Sequence, residues 1–340
     1  MMKKKIIAAI SVALVAVILL AATQRLLIPK YIDNREGKLV GEYYSQAGQN
    51  DVLFLGDCEV YESFIPAVLW EKYGISSYVR GSAQQLIWQS YYLLEEMFRY
   101  DKPSVVVFNV YAMKYGKPQN NAYNRMTLDG MKWSSSKVKA IRASMTEDES
   151  FIEYVLPILR YHSRITELTS DDFKYYFSSP EVSDSGYLMQ TAVRPMTTDR
   201  VGEALFDYTL PEICFEYLEM MRELCEENGA ELLLVKAPTN HWKFWWYDEW
   251  DVQIEAYADK NGLDYINFIP LCEEMGIDWS QDTYDQGMHL NVYGAEKLTE
   301  YFGDILAQEY GVEDRRSDKT LSDAWAARLE KYYERRNSEK

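Results

Sequence analysis

Cys58 follows directly on a short apolar run. Val52 to Leu55 reads as a buried strand, and Gly56-Asp57-Cys58-Glu59 as the turn after it. A glycine turn at a strand end lifts one side chain to where a ligand can reach it, which suits a nucleophile. His289 stands far along the chain, just before a predicted helix, with Asp285 four residues and Asp282 seven residues ahead of it. These are the parts of an acyl-transfer relay. The imidazole takes the nucleophile's proton, and a carboxylate fixes its tautomer and stabilises the imidazolium. Asp285 is the first choice for that carboxylate and Asp282 the reserve. A thiol with an ordinary pKa of about 8.5 is only a few per cent thiolate at neutral pH, and a neighbouring imidazole raises that fraction. The flanking Asp57 and Glu59 oppose it. The competing reading of Cys58 is a small residue filling a core.

These residues need a scaffold that brings positions 58 and 289 together. From Asp51 onward strands and helices alternate. Val52–Leu55 is the first predicted strand, 65–73 a short helix with Pro66 in its first turn and Gly74 at its end, and Ser77–Arg80 a second strand. Residues 84–100 read as a helix. Val105–Phe108, "VVVF", is a continuous β-branched run of the kind buried on both faces of a parallel sheet. The rhythm lapses over 112–205, read as an insertion or cap over the sheet. It resumes with a helix at 211–228, a strand at 231–235, a helix near 248–261, a strand at 265–268 and a closing helix at 294–306. The charged tail, 313–340, reads as a solvated helix. The pattern predicts an α/β fold.

With those elements placed, the chain resembles the SGNH, or GDSL-type, hydrolase superfamily. Gly56-Asp57-Cys58 aligns with its Gly-Asp-Ser block, Gly81 in "VRGSAQQ" with its second-block glycine, and Asn109 after "VVVF" with its third-block asparagine. Asp285, His289, Leu290-Asn291 and Gly294 look like its final Asp-x-x-His block. The resemblance covers about 51–111 and 205–308. It implies a three-layer, flavodoxin-like parallel sheet flanked by helices. It also implies an oxyanion held by the N–H groups of Cys58 and Gly81 and the amide of Asn109. Two positions depart from the pattern: cysteine replaces serine, and the acid precedes the histidine by four residues rather than three.

The chain carries a net charge of −17, which repels phosphate backbones and argues against nucleic acid as a partner. The four cysteines and three histidines show no zinc-type spacing, and neither a metal nor a cofactor is called for. Cys214 and Cys225 fall eleven residues apart on one predicted helix, about 16 Å along its axis, too far for a disulfide. At the amino terminus Lys3-Lys4-Lys5 precedes the uncharged stretch Ile6 to Ala22. As helix this spans about 25 Å, the short end of a membrane crossing. Lysines before it favour a cytoplasmic amino terminus and an exported body. A cleaved signal peptide, leaving a secreted body, is the alternative. The expected organisation is an anchor or signal at 1–28, a stalk and lead-in helix at 29–50, the α/β domain at 51–312 and the tail.

The functional expectation is an extracytoplasmic, membrane-anchored acyltransferase or esterase. It would act on a small acyl group of a cell-envelope glycan or teichoic-acid-like polymer. The resemblance adds a membrane-bound O-acyltransferase as partner. Arg160, His162 and Arg164 in "RYHSR" are candidates to bind substrate, or else form a basic helix end; His241 in "PTNHWKFWW" is a candidate in a loop. The alternative is an inactive relative that binds envelope polymer or organises an acyltransferase assembly.

Overall fold

Three apolar runs and two mixed stretches form five strands. The computed structural model describes residues 2–29, 37–178, 180–197, 202–240 and 245–338. The strands are β1 (Val52–Gly56), β2 (Ser77–Gly81), β3 (Val105–Asn109), β4 (Glu231–Lys236) and β5 (Asp264–Asn267). All neighbours pair in parallel, in the order β2-β1-β3-β4-β5. This is the flavodoxin-like order. Val52 to Leu55 align with Ser77 to Arg80 on one side and with Val105 to Phe108 on the other. β1 therefore lies inside the sheet, at the point where the chain crosses from β2 over to β3. Such switch points open a crevice beyond the strands' carboxyl ends.

The helices, in chain order, are α1 (Met2–Leu27), α2 (Lys38–Gly41), α3 (Cys58–Tyr61), α4 (Pro66–Tyr73), α5 (Ile87–Met97), α6 (Asn121–Leu128), α7 (Ser135–Ser144), α8 (Phe151–Val155), α9 (Ile158–Tyr161), α10 (Ser170–Lys174), α11 (Glu212–Asn228), α12 (Asp248–Asn261), α13 (Val292–Gln308) and α14 (Lys319–Ser338). Side chains alternate across the sheet. Leu53, Leu55, Val106, Phe108, Leu232 and Leu234 face one layer, with α5, α7, α11 and α12. Val52, Phe54, Val105, Val107, Leu233 and Val235 face the other, with α4 and α13. Three layers result. Cys214 and Cys225 are both free and buried on α11.

Two segments differ from the sequence expectation. The tail is no solvated helix: α14 buries Leu321, Trp325 and Tyr332 along one face. Trp325 stacks on Trp70 of α4 with ring centroids 5.4 Å apart, and its Nε1 donates to Ser76 Oγ at 3.3 Å. An amphipathic stripe at helical spacing was hidden among many charges. In the lead-in segment, Leu39, Val40 and Tyr43 are core residues rather than stalk; residues 30–36 lie outside the described residues.

The insertion has two parts. Its helical part packs beside α5, sending Leu128, Met131, Ala140, Ile141 and Tyr154 into that side's core. Its later part runs along the sheet edge, where Val79 N donates to Ser185 O. It then reaches the His289 loop, where Arg194 N donates to Thr283 O and Val292 N to Gln190 O. At the amino terminus, α1 is long and apolar enough to cross a membrane.

Candidate active site

β1 delivers Cys58 through a turn that only glycine makes easily. Gly56 has φ of 151°, and a Cβ there would meet Val60 Cγ2 at 2.5 Å. Asp57 caps α3, its Oδ1 accepting from Glu59 N at 3.1 Å. Cys58 is the first residue of α3 and half-buried. Gly81 pairs with Gly56 across the sheet. A Cβ on Gly81 would lie 2.9 Å from Gly56 O and 3.1 Å from Asp57 O, so the second strand end can approach the turn only as glycine.

The loop before α13 supplies the imidazole. His289 Nε2 lies 3.1 Å from Cys58 Sγ, and Nδ1 lies 2.6 Å from Asp285 Oδ2. His289 N also donates to Asp285 Oδ1 at 2.8 Å, so the carboxylate grips both ring and backbone. An isolated bridge between Thr283 and Leu290 closes the loop. Asn291 caps α13 by accepting from the N–H groups of Tyr293 and Gly294. Between the two choices of acid, Asp285 meets the imidazole. Asp282 instead accepts from Lys297 Nζ at 2.6 Å and from Asp278 N at 2.7 Å.

Glu62, which the sequence reading did not single out, is a second carboxylate at the imidazole. Its Oε2 lies 3.7 Å from His289 Nδ1 and accepts from Tyr284 OH at 2.8 Å. Tyr284 stacks along the ring, and Trp245 meets it edge-on with centroids 5.7 Å apart. A buried ionic cluster, also unread in the sequence, braces the turn. Glu59 accepts from Lys236 Nζ at 2.8 Å, Asn109 Nδ2 at 2.9 Å and Trp245 Nε1 at 2.8 Å. Its sequence signal was slight: an acid beside Cys58 and a lysine closing the strand "ELLLV".

This cluster revises the expectation for Asn109. Its amide donates to Glu59 and, at 3.4 Å, to Asp57 Oδ1, while its Oδ1 accepts from Ala237 N. Both amide hydrogens are committed, so Asn109 is a brace rather than an oxyanion donor. Arg160, His162 and Arg164 sit elsewhere as well. Arg164 donates to Asp172 at 2.9 Å and to Leu27 O at the end of α1; His162 is exposed, with Nδ1 3.0 Å from Leu159 O; Arg160 lies over Tyr161. The helix–insertion junction, rather than the Cys58–His289 pair, is their setting. His241 lies outside the described residues.

The electrostatics hold a proton on each member of the resting pair. Burial, and then the Asp57 charge, push the Cys58 thiol up to about 12, against the pull of His289. Burial and the Glu59 charge push Asp57 up to about 7. Burial would lower the His289 pKa, but the sulfur, Asp285 and Glu62 outweigh it and raise it well above the ordinary imidazole value. Cys58 thus rests as a thiol beside an imidazole that becomes a free base only above the ordinary imidazole range. Its proton would leave during attack, as in a serine relay, rather than beforehand.

No protein-family model matches the chain, and no curated protein does. Among solved structures, it is similar to a "putative acylhydrolase" from Bacteroides fragilis, with 12% identity over 79% of this chain and 95% of that one and a TM-score of 0.37. It is also similar to a "GDSL-like lipase" from Bacteroides thetaiotaomicron, with 12% identity over 79% and 94% and a TM-score of 0.34. At that level neither bears on the chemistry, which rests on the side-chain geometry.

Proposed function

We propose that the chain is an acyltransferase or esterase working through a thioester on Cys58. The contact that carries the reading is the continuous relay from Cys58 Sγ through His289 to Asp285, with steps of 3.1 and 2.6 Å. Cys58 attacks an ester carbonyl as its proton passes to His289 Nε2. The tetrahedral intermediate collapses, the imidazolium protonates the departing alcohol, and an acyl thioester remains. Water or an acceptor hydroxyl then attacks and gives its proton to His289. The new acid or ester leaves, and that proton returns to the sulfur. The N–H groups of Cys58 and Gly81 are the proposed oxyanion donors. Asp285 holds the ring, and Glu62 adds to its basicity.

The resemblance supports a small acyl group such as acetyl. It likewise supports an envelope glycan or teichoic-acid-like acceptor and a membrane O-acyltransferase as donor partner. The lysines before α1 support an anchored body outside the cytoplasm. The second reading, an inactive polymer-binding or assembly module, is favoured by the raised thiol pKa and by the loss of Asn109 to the Glu59 cluster. Aryl-acetate hydrolysis by the full chain in detergent separates the two. Turnover lost in both Cys58→Ala and His289→Ala supports the enzyme. Turnover unchanged in both variants, or absent from all three proteins, supports the module.

A further inference from the structure

The insertion exposes apolar side chains in one short stretch. Ile152, Val155, Leu159, Ile165, Phe173 and Phe177 are between 41% and 84% exposed, all within 152–177. An apolar surface this dense marks an interaction site rather than ordinary solvent exposure. It adjoins the end of α1. Arg25 Nε donates to Tyr176 O at 2.7 Å and its guanidinium lies over the Tyr176 ring; Arg164 donates to Leu27 O; Ile158 N donates to Gln24 Oε1 at 3.4 Å. The apolar stretch of α1 is itself unburied. A groove of about 480 Å³ runs from Ala21 on α1 and Ile28 just beyond its end to Val155 and Phe177 on the insertion. The two apolar surfaces are therefore continuous, and whatever covers α1 reaches the insertion.

We propose that residues 150–177 form a platform lying in the headgroup region of the bilayer that α1 crosses, with Phe173 and Phe177 reaching the acyl chains. The proposal rests on α1 being an uncleaved anchor. Three short helices present Ile152 and Val155 (α8), Leu159 (α9) and Phe173 (α10), Ile165 lies on the 3-10 turn His162–Thr166, Phe177 follows α10, and Tyr175 and Tyr176 stand beside them, as aromatic residues do at membrane interfaces. Charge permits it. Residues 150–177 hold three Lys and Arg against four Asp and Glu, a net charge of −1, whereas the whole chain carries −17. The acidic remainder is repelled by anionic headgroups far more than this near-neutral segment is. A second attachment beside α1 would fix the tilt of the catalytic domain and the height of Cys58 above the membrane.

The test is site-directed spin labelling of the full chain in phosphatidylcholine–phosphatidylglycerol vesicles. Single cysteines replace Leu14, Phe173, Phe177 and Asp259 in a Cys58→Ser, Cys272→Ser background. Label collisions with oxygen are compared with collisions with an aqueous nickel chelate. Labels at 173 and 177 should favour oxygen several-fold, as the anchor label at 14 does, while the label at 259 favours nickel. If 14 favours oxygen but 173 and 177 behave like 259, the anchor stands and the platform is wrong. If 14 also favours nickel, the anchor reading fails and the platform with it. Shielding of 173 and 177 from both reagents, with spin–spin broadening, would overturn lipid as the occupant in favour of a second copy.

Discussion

His289 Nε2 sits 3.1 Å from Cys58 Sγ, although 231 residues separate the two in sequence. Two loops make the meeting. One is the glycine turn at the end of β1; the other is the Asp285-gripped loop that opens α13. General-base removal contributes about 10²–10⁴-fold in rate, so His289→Ala should lose acyl turnover on that scale while circular dichroism stays unchanged. Asp285→Asn should lose rate on a comparable scale: with its oxygen on the backbone N–H, its amide faces Nδ1 as a donor and holds the imidazole in the tautomer that cannot take the Cys58 proton.

Glu62 should show itself in the pH profile. Its charge near Nδ1 helps hold the imidazolium, so His289 becomes a free base only above the ordinary imidazole range. Rate therefore rises with pH as the proton leaves. Removing the charge in Glu62→Gln lowers that pKa and moves the acid limb of the profile down, by about one unit for a close carboxylate. An unmoved acid limb would place the governing charge elsewhere.

Asp57 links stability to pH. Its native pKa of about 7 stands above the ordinary 3.8, so the unfolded chain loses this proton first. Stability from this group falls as pH rises from about 4 to 7 and is flat above. Asp57→Asn removes that fall and keeps an oxygen for the Glu59 N–H. The variant should gain on the parent across that window, as read by denaturant midpoints at successive pH values.

Lys236→Met would leave Glu59 buried without its cation, a loss of about 3–5 kcal/mol. The double variant with Glu59→Gln should recover part of that loss. A double-variant loss equal to the sum of the losses in Lys236→Met and Glu59→Gln alone would show that the pair is not coupled.

Trp325→Ala should cost about 3–5 kcal/mol by emptying the stack on Trp70. A loss below about 1 kcal/mol, the usual range of surface changes, would mean the tail contributes little to the domain.

β1, β3 and β4 were legible because each is a short apolar run closed by turn residues. "VVVF" and "ELLLV" have no polar alternation, which a strand buried on both faces does not need. Cys58, Asp285 and His289 were legible from residue type and order. Glu59, Glu62 and Lys236 were not, because a charged side chain three residues from another reads as a solvated face. Their burial is decided by which loops the sheet brings together. Asn109 shows the converse. Its position at the end of β3 was readable, but the partner of its amide was set by Glu59, fifty residues away. The tail's apolar stripe was lost among its charges for a similar reason: only Trp70, on another helix, reveals what it covers.

The central claim is that Cys58 carries the acyl group. The direct measurement is intact-mass analysis of the full chain after incubation with an activated acetyl ester, beside Cys58→Ala and His289→Ala. The account predicts an acetyl adduct that maps to Cys58, is absent from Cys58→Ala and forms far more slowly in His289→Ala. An adduct that persists in Cys58→Ala, or no adduct under conditions where the ester is consumed, would contradict it.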